Sequence, residues 1–345
     1  ARVRAVRTRE LTRAAMSDLL GGVDPRGHAI ADATDAALLG ALAIAGREEA
    51  ERWGSERAHV TFVAMGRYGG RECSYASDAD VIALHEPVGG TSDSEAAASA
   101  TAIVNRVKKL LGSATSQLGI VVDLDLRPEG KNGPMSRTIA SHEEYAQRWS
   151  STWERQAAVR ARPIGSSNLD ERARALFESM AYREVSESEV RDIRLLKARM
   201  ENERLPRGTE PARHVKLGPG GLSDVEWTIQ LIQMRHGREV EALRTSSTTD
   251  AIAAARDAGL MGASDAEILL NAWDLATRIR AGNTLATGRM SGVKLDVVPR
   301  DSAELGALAA ILGYGSGGLT ALEEDWLRAA RQARGVMERT FWEQQ

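Results

Sequence analysis

The fold of this chain is decided by residues 63–84, which read VAMGRYGGRECSYASDADVIAL. The apolar and β-branched run from His59 to Met65 ends at Gly66, which is typical of a buried strand that enters a turn. A second strand is predicted over residues 80–85, directly after the acidic sequence Ser77-Asp-Ala-Asp. This segment therefore predicts a strand, a glycine-rich turn and a second strand that opens with carboxylates.

The two carboxylates at the start of the second strand are predicted to lie together. Residues two apart in a strand point to the same face, so Asp78 and Asp80 project on one side while Ala79 projects on the other. Two ionised carboxylates side by side repel each other unless water or a cation compensates their charge. Hard oxygen ligands at this spacing suit Mg²⁺ or Mn²⁺, which makes the pair a candidate metal site.

A third strand is predicted over residues 119–126, where Asp123 and Asp125 alternate with apolar residues. If it neighbours the second strand, at least one of its carboxylates meets the first pair, and the residues leave open which. Three carboxylates on adjacent strands can hold two metal ions for in-line displacement at phosphorus. Arg127 continues the acidic face of this predicted strand, where its partner would be a phosphate or a carboxylate.

The glycines of the turn complete the pattern. Gly66, Gly69 and Gly70 let backbone N–H groups approach an anion closely, so the turn could cradle a triphosphate. Taken alone, a glycine-rich turn is usually only a turn, and an acidic pair at a strand start is usually only a solvated one. Their combination with a further acidic strand indicates a nucleotidyltransferase-type metal site.

The rest of the chain predicts helices. At roughly 150 residues per domain, 345 residues suggest two or three domains. We expect N-terminal helices over residues 1–57 that pack on a catalytic domain over 58–165, with a helix from about residue 142 to 162 and a linker over 163–168. Residues 166–345 carry apolar stripes at helical spacing and predict an all-α bundle. The fold class is therefore α+β.

Composition excludes several classes of protein. Lys plus Arg total 45 and Asp plus Glu total 48, and a net charge of −3 argues against a dedicated nucleic-acid binder. The single cysteine, Cys73, cannot form a disulfide within the chain, which favours a reducing cytoplasm. The longest apolar stretch, residues 36–45, is about half of the ~18–20 residues that a membrane span needs. The chain begins with Ala rather than Met, so we expect a piece of a longer protein or a processed one.

A second constellation lies at residues 216–227, which read KLGPGGLSDVEW. Flexible glycines run into a helix whose start is marked by Ser223 and Asp224. Glu226 shares a predicted helix face with Gln230 and Gln233. Two interpretations stay open, namely a capped helix with a solvated polar stripe and a functional site.

The motifs together resemble a known superfamily. Gly66-Arg-Tyr-Gly-Gly-Arg-Glu with Ser77-Asp-Ala-Asp is similar to the signature of the polymerase-β-type nucleotidyltransferases. More narrowly, residues 122–130, 153–162 and 220–227 resemble the glutamine synthetase adenylyltransferase family. The resemblance implies a polymerase-β-like core followed by a helical bundle. It also implies adenylyl transfer from ATP to a tyrosine hydroxyl of glutamine synthetase, with Mg²⁺ or Mn²⁺ as cofactor and release of pyrophosphate.

The resemblance assigns roles to the residues singled out above. It implies metal binding by Asp78, Asp80 and Asp123, and a base that is either Asp123 or Asp125. It implies ATP contacts from the turn and its surroundings, which are Gly66, Arg67, Gly69, Gly70, Ser77 and Arg127. Two departures are visible, because Arg67 stands where the family's pattern has Lys and Asp125 stands where many relatives carry Arg.

The family implies a bifunctional enzyme with two homologous halves. One half attaches AMP to glutamine synthetase and the other removes it by phosphorolysis, which regulates nitrogen assimilation. Ser74-Tyr-Ala-Ser-Asp and the C-terminal sequence after Phe341 resemble the transferase half. The implied partners are glutamine synthetase, the PII signalling protein and the absent adenylyl-removing half, in the cytoplasm, with no nucleic acid and no membrane. The alternatives are the adenylyl-removing half, an RNA- or nucleotide-tailing transferase and a non-catalytic module that binds nucleotide or PII.

Overall fold

The computed structural model describes residues 2–20, 26–112, 119–315 and 318–343. It confirms the α+β class, with a small mixed sheet among many helices. The chain forms two compact units, which are described in turn. The first comprises residues 1–16, 24–73 and 77–181, and the second comprises residues 17–23, 74–76 and 182–345.

The first unit contains the sheet. Its five strands are β1 (Ala58–Ala64), β2 (Ala79–Pro87), β3 (Val122–Asp123), β4 (Ser136–Thr138) and β5 (Arg162–Pro163). The order is β3-β2-β1-β5, and β4 also pairs with β2. β1 is antiparallel to β2 and to β5, whereas β3 and β4 are parallel to β2. Phe62, Val63 and Leu84 are fully buried, so β1 and β2 form the centre of this unit's core.

Helices accompany this sheet along the chain and continue past the expected domain end. They are α1 (Arg2–Leu19), α2 (Arg26–Trp53), the single turn α3 (Gly66–Gly69), α4 (Asp93–Leu111), α5 (Ile139–Arg148), α6 (Thr152–Ala158) and α7 (Asn168–Ala181). α7 packs on β1, because its buried Asp170 accepts a hydrogen bond from the Thr61 hydroxyl. The first unit therefore runs through Ala181, whereas the sequence placed the end of the catalytic domain at residue 165.

Three sequence-based expectations about this unit are wrong. The third strand covers only Val122–Asp123, because the chain then turns, with the Arg127 N–H bonded to the Leu124 carbonyl at 3.0 Å. The helix expected over residues 142–162 is broken between α5 and α6, where Ser151 and Glu154 form a capping box. The expected linker at 163–168 begins inside β5, which pairs with Val63 and Ala64.

α2 is the one helix in the described ranges that could span a membrane by length and composition, over Gly27–Trp53. Buried core helices pass the same test, and 44% of its apolar window is buried in the structure. It packs along α4, and its Asp35 is ion-paired with Arg162 of β5. These contacts are those of a helix that belongs to a protein core.

The second unit is a bundle of helices, as predicted. They are α8 (Glu187–Glu203), α9 (Leu222–His236), α10 (Thr248–Asp257), α11 (Ala263–Thr287), α12 (Ser302–Ile311) and α13 (Leu319–Met337), which ends in a π-helical turn at Glu338–Trp342. The core lies between α9, α11, α12 and α13, with Leu269, Trp273, Leu308, Leu322 and Trp326 all buried. Among the described residues of this unit, His214 and Val297 form an isolated antiparallel β-bridge.

Gly220 is required where the loop before α9 meets α13. Its φ is +72°, and a Cβ there would lie 1.7 Å from the carbonyl oxygen of Ala330. Gly208 has a similar φ of +78°, but no described atom lies within 4 Å of its Cβ position. The two positions share backbone strain and differ in the space for a methyl group.

We expect Gly220→Ala to lower the free energy of unfolding by about 3 kcal/mol or more, because it combines a left-handed backbone with overpacking. Gly208→Ala, the matched control, should cost about 1–2 kcal/mol, which is the backbone term alone. Urea unfolding followed by circular dichroism measures both. Equal losses in the two variants would show that the approach of Ala330 does not limit position 220.

Candidate active site

Two of the predicted carboxylates meet across parallel strands. Asp80, the second residue of β2, is in register with Asp123, the last residue of β3. Paired residues on neighbouring strands lie about 5 Å apart and project from the same face. A Cβ at Gly66 would lie 3.2 Å from Oδ2 of Asp80, so this carboxylate also lies against the glycine turn. The structure therefore brings together one acidic residue from each strand and the start of the turn.

Asp78 lies just outside the strand. β2 begins at Ala79, whose N–H bonds to the Val121 carbonyl at 2.9 Å, so the strand starts one residue after Asp78. Asp78 is exposed, whereas Asp80 is partly buried. The position of Asp78 therefore depends on the segment between α3 and β2.

The two acidic residues of the third strand region have different surroundings. Asp123 Oδ1 accepts a hydrogen bond of 2.7 Å from the backbone N–H of Asp125, which orients its carboxylate. The Asp125 side chain is 51% exposed and forms ion pairs with Lys131 at 3.2 Å and with Arg127 at 3.9 Å. Asp123 therefore belongs to the sheet edge beside Asp80, and Asp125 belongs to the loop.

Arg127 does not continue a strand face. It is buried, and its guanidinium donates to the backbone carbonyls of Leu124 at 2.9 Å and Gly133 at 3.3 Å. These bonds tie together the two ends of the loop that follows Asp123. Residues 127–130 read RPEG, and proline and glycine at these positions favour a turn. This composition is the feature of the sequence that could have placed Arg127 in a loop.

The glycine turn uses its amides differently from the sequence expectation. α3 is a single helical turn, in which the N–H groups of Gly69 and Gly70 bond to the carbonyls of Met65 at 2.8 Å and Gly66 at 3.1 Å. A Cβ at Gly69 would lie 1.9 Å from the carbonyl oxygen of Arg160. Glycine is thus needed at position 69 for close packing of the protein backbone.

Two arginines hold the backbone of this turn. Arg67 donates from Nε and Nη2 to the Glu72 carbonyl, at 3.1 and 2.9 Å. Arg160, which is buried, donates from Nε to the Gly66 carbonyl at 3.1 Å and forms an ion pair with the Glu72 side chain. The sequence does not indicate this role for Arg160, because nothing local distinguishes a buried arginine from an exposed one.

The donor set fits Mg²⁺ or Mn²⁺ in type. Within the ranges that the structure describes, no three His, Cys, Asp or Glu side chains are gathered closely enough to enclose an ion. Mg²⁺ usually takes only one or two carboxylates and completes its shell with water and substrate phosphates. Asp80 and Asp123, side by side and next to a backbone turn, supply such a partial shell.

The second constellation is a buried ion cluster. Asp224 is 1% exposed and accepts hydrogen bonds from Lys197 Nζ at 2.5 Å, Arg334 Nη1 at 3.1 Å and the Gly220 N–H at 2.7 Å. Lys197 is equally buried, and Glu201 joins both cations. The cluster ties α8, α9 and α13 together, which favours the structural interpretation for Asp224.

The polar stripe on α9 is not solvated. Gln230 and Gln233 are both buried, and the Gln233 amide donates to the carbonyls of Leu243 at 2.8 Å and Thr245 at 2.7 Å. Gln233 therefore anchors the segment that leads into α10.

Comparison with known proteins matches each part of the chain to a family model. Residues 1–177 match the model described as glutamate-ammonia ligase adenylyltransferase. Residues 194–341 match the model described as GlnD PII-uridylyltransferase. The gap between the two matches, residues 178–193, runs from the end of α7 into α8 and includes the change from the first unit to the second at residues 181–182.

Curated relatives match over nearly the full chain, and each is called bifunctional glutamine synthetase adenylyltransferase/adenylyl-removing enzyme. The protein from Streptomyces coelicolor is 44% identical over 99% of this chain and 35% of its own length. Those from Bifidobacterium longum and Mycobacterium marinum are 42% and 38% identical, again over 99% of this chain, and over 32% and 34% of their own lengths. The chain thus spans about a third of the length of the curated relatives it matches.

We expect Asp224→Ala to lower the free energy of unfolding by about 3–5 kcal/mol, because Lys197 would stay buried after losing its closest carboxylate. The matched control is Asp274→Ala on α11. Asp274 is 68% exposed and pairs with Arg278 at 3.7 Å, so its loss should cost at most about 1 kcal/mol. Urea unfolding compares the two variants, and equal midpoints would contradict a stabilising role for the cluster.

Proposed function

The chain belongs to the glutamate-ammonia ligase adenylyltransferase family, and on that premise we propose that its first unit transfers AMP from ATP to a tyrosine hydroxyl of glutamine synthetase. The observation that carries this proposal is the pairing of Asp80 with Asp123 beside Gly66. Carboxylates on adjacent strands suit in-line displacement at phosphorus with bound cations. The sheet and its helices then form a polymerase-β-like nucleotidyltransferase core.

Asp78, Asp80 and Asp123 are the residues that would hold Mg²⁺ or Mn²⁺. When bound, the ions neutralise charge on the triphosphate and on the pyrophosphate as it leaves. The turn at residues 66–70 lies against Asp80 and would receive the phosphates, with Arg67 and Ser77 as further contacts to ATP. Arg127 would act indirectly, because its guanidinium bonds to loop carbonyls and so orders the segment after Asp123.

The attacking hydroxyl needs a base, since a tyrosine has a pKa of about 10. We assign this role to Asp123, which lies in register with Asp80, whereas Asp125 is ion-paired on an exposed loop. The tyrosine oxygen bonds to the α-phosphorus and the bond from this phosphorus to the pyrophosphate oxygen breaks. The tyrosine proton passes to the Asp123 carboxylate.

The second unit would bind the protein substrate and regulatory protein. Its match is to a uridylyltransferase whose name gives PII as the modified protein, so related helical units accompany nucleotidyl transfer to more than one protein. We assign to this unit contacts with glutamine synthetase and with PII, in an enzyme that acts in the cytoplasm to regulate nitrogen assimilation.

The chain could run this chemistry in either of two directions. The relatives are named for both addition and removal of AMP, so removal by phosphorolysis is the second candidate function. Ser74-Tyr-Ala-Ser-Asp resembles the transferase half and supports addition. The two reactions share the α-phosphorus and differ in the attacking group, which is a tyrosine hydroxyl in one and inorganic phosphate in the other.

The direction is tested by offering the chain both substrates. Unmodified glutamine synthetase with Mg-ATP should gain AMP and release pyrophosphate, measured by mass spectrometry and a pyrophosphate assay. Adenylylated glutamine synthetase with phosphate should yield no ADP. ADP formation without AMP addition would assign the chain to the adenylyl-removing reaction.

The carboxylate assignment is tested by single amide substitutions. Asp80→Asn and Asp123→Asn should each lower the rate of AMP transfer by about 10²–10³-fold, because charge stabilisation at phosphorus is lost. Asp78→Asn should also remove activity and leave the circular dichroism spectrum unchanged. Asp125→Asn is the control and should keep most of the rate. If Asp125→Asn is as damaging as Asp123→Asn, the base is wrongly assigned.

A further inference from the structure

A buried carboxylate from α2 reaches the glycine turn. Asp35 accepts hydrogen bonds from Nη1 and Nη2 of Arg162, at 2.8 and 3.0 Å, and from the Tyr68 hydroxyl at 2.5 Å. The bidentate pair has the geometry that gives arginine and carboxylate their strongest contact. Asp35 thus links α2 to a residue of the turn and to β5.

Arg162 also forms hydrogen bonds with the backbone of the turn. Its Nε donates to the Gly69 carbonyl at 3.1 Å, and its Nη2 also lies 3.4 Å from the Tyr68 carbonyl. Arg160, two residues earlier, donates to the Gly66 carbonyl at 3.1 Å. Guanidinium groups from one short segment therefore bind three of the four carbonyl groups of α3.

The electrostatics of this group keep Tyr68 and Arg162 in the forms that donate these bonds. Burial, and then the charge of Asp35, raise the pKa of Tyr68, so its hydroxyl stays a donor. Burial alone would lower the pKa of Arg162, but its hydrogen bonds to Asp35 raise it. Burial raises the pKa of the neighbouring Cys73 thiol to about 12, so no thiolate competes for the arginines.

We propose that Asp35 is a positioning residue for the nucleotide, which acts through Arg162 and Tyr68 to hold the backbone of residues 66–70 in the shape that receives phosphates. This inference rests on the proposed function, because it takes that turn as the ATP contact. It makes α2 part of the nucleotide site. The N-terminal helices were expected only to pack on the core.

The first test measures how rigidly the turn is held in the nucleotide-free protein. In Asp35→Asn, hydrogen exchange of the Gly69 and Gly70 amides should accelerate at least about tenfold, since a charge-assisted hydrogen-bond pair is lost. Exchange in β1 and β2 should change little. The control is Glu48→Gln, which removes another α2 carboxylate in a bidentate pair, with Arg106 at 2.6 and 2.9 Å, but on the exposed surface. This control should leave exchange in the turn unchanged.

The second test separates positioning from general stability. Asp35→Asn should raise KM for ATP about tenfold, with kcat and KM for glutamine synthetase nearly unchanged, because Asp35 shapes the nucleotide contact alone. Tyr68→Phe removes one hydroxyl and leaves the Asp35–Arg162 pair, so it should fold and raise KM for ATP by a smaller factor. Glu48→Gln should keep the KM of the unsubstituted chain.

The outcomes are distinguishable. Unchanged exchange in the turn, or a folded Asp35→Asn and Tyr68→Phe pair with unaltered KM for ATP, overturns the positioning role. A wild-type chain that adds no AMP and binds no ATP contradicts the proposed function. Exchange in the nucleotide-free protein would still report whether Asp35 holds the turn.

Discussion

The candidate site of the first unit depends on the parallel pairing of β2 with β3. This pairing places Asp80 next to Asp123, and two carboxylates so placed are ligands of the type that Mg²⁺ prefers. β3 is only two residues long, so its own ladder cannot hold that position. The burial of Val122 and Leu124 and the Asp123–Asp125 hydrogen bond fix it instead.

The two units use buried charge for different purposes. In the first, Arg127, Arg160 and Arg162 bind backbone carbonyls of the two loops that border the carboxylates. In the second, the cluster around Asp224 pairs charges with each other and ties helices together. A guanidinium with five donors can satisfy several carbonyls at once, which suits loops that lack ladder partners of their own.

The proposed function rests on the site and the family together. The relatives are named for adenylyl transfer and removal, and they are about three times as long as this chain. The family name does not distinguish the two acidic residues of the third strand region. The structure does, because Asp123 lies in the sheet and Asp125 lies on the loop. The near balance of acidic and basic residues agrees with a protein substrate better than with nucleic acid.

The sequence by itself determined the strand–turn–strand order around residues 58–87 and the helical second half. These features depend on alternation, helical spacing and turn residues, which are properties of neighbours in the chain. Only the tertiary structure decided that β3 stops at Asp123, that residues 162–163 join the sheet and that Gly69 serves packing against Arg160. Asp35 and Arg162 are 127 positions apart, and no local pattern indicates which buried carboxylate an arginine will meet. Such pairs form because folding brings distant segments into a low-dielectric interior, where an unpaired charge is too costly to keep.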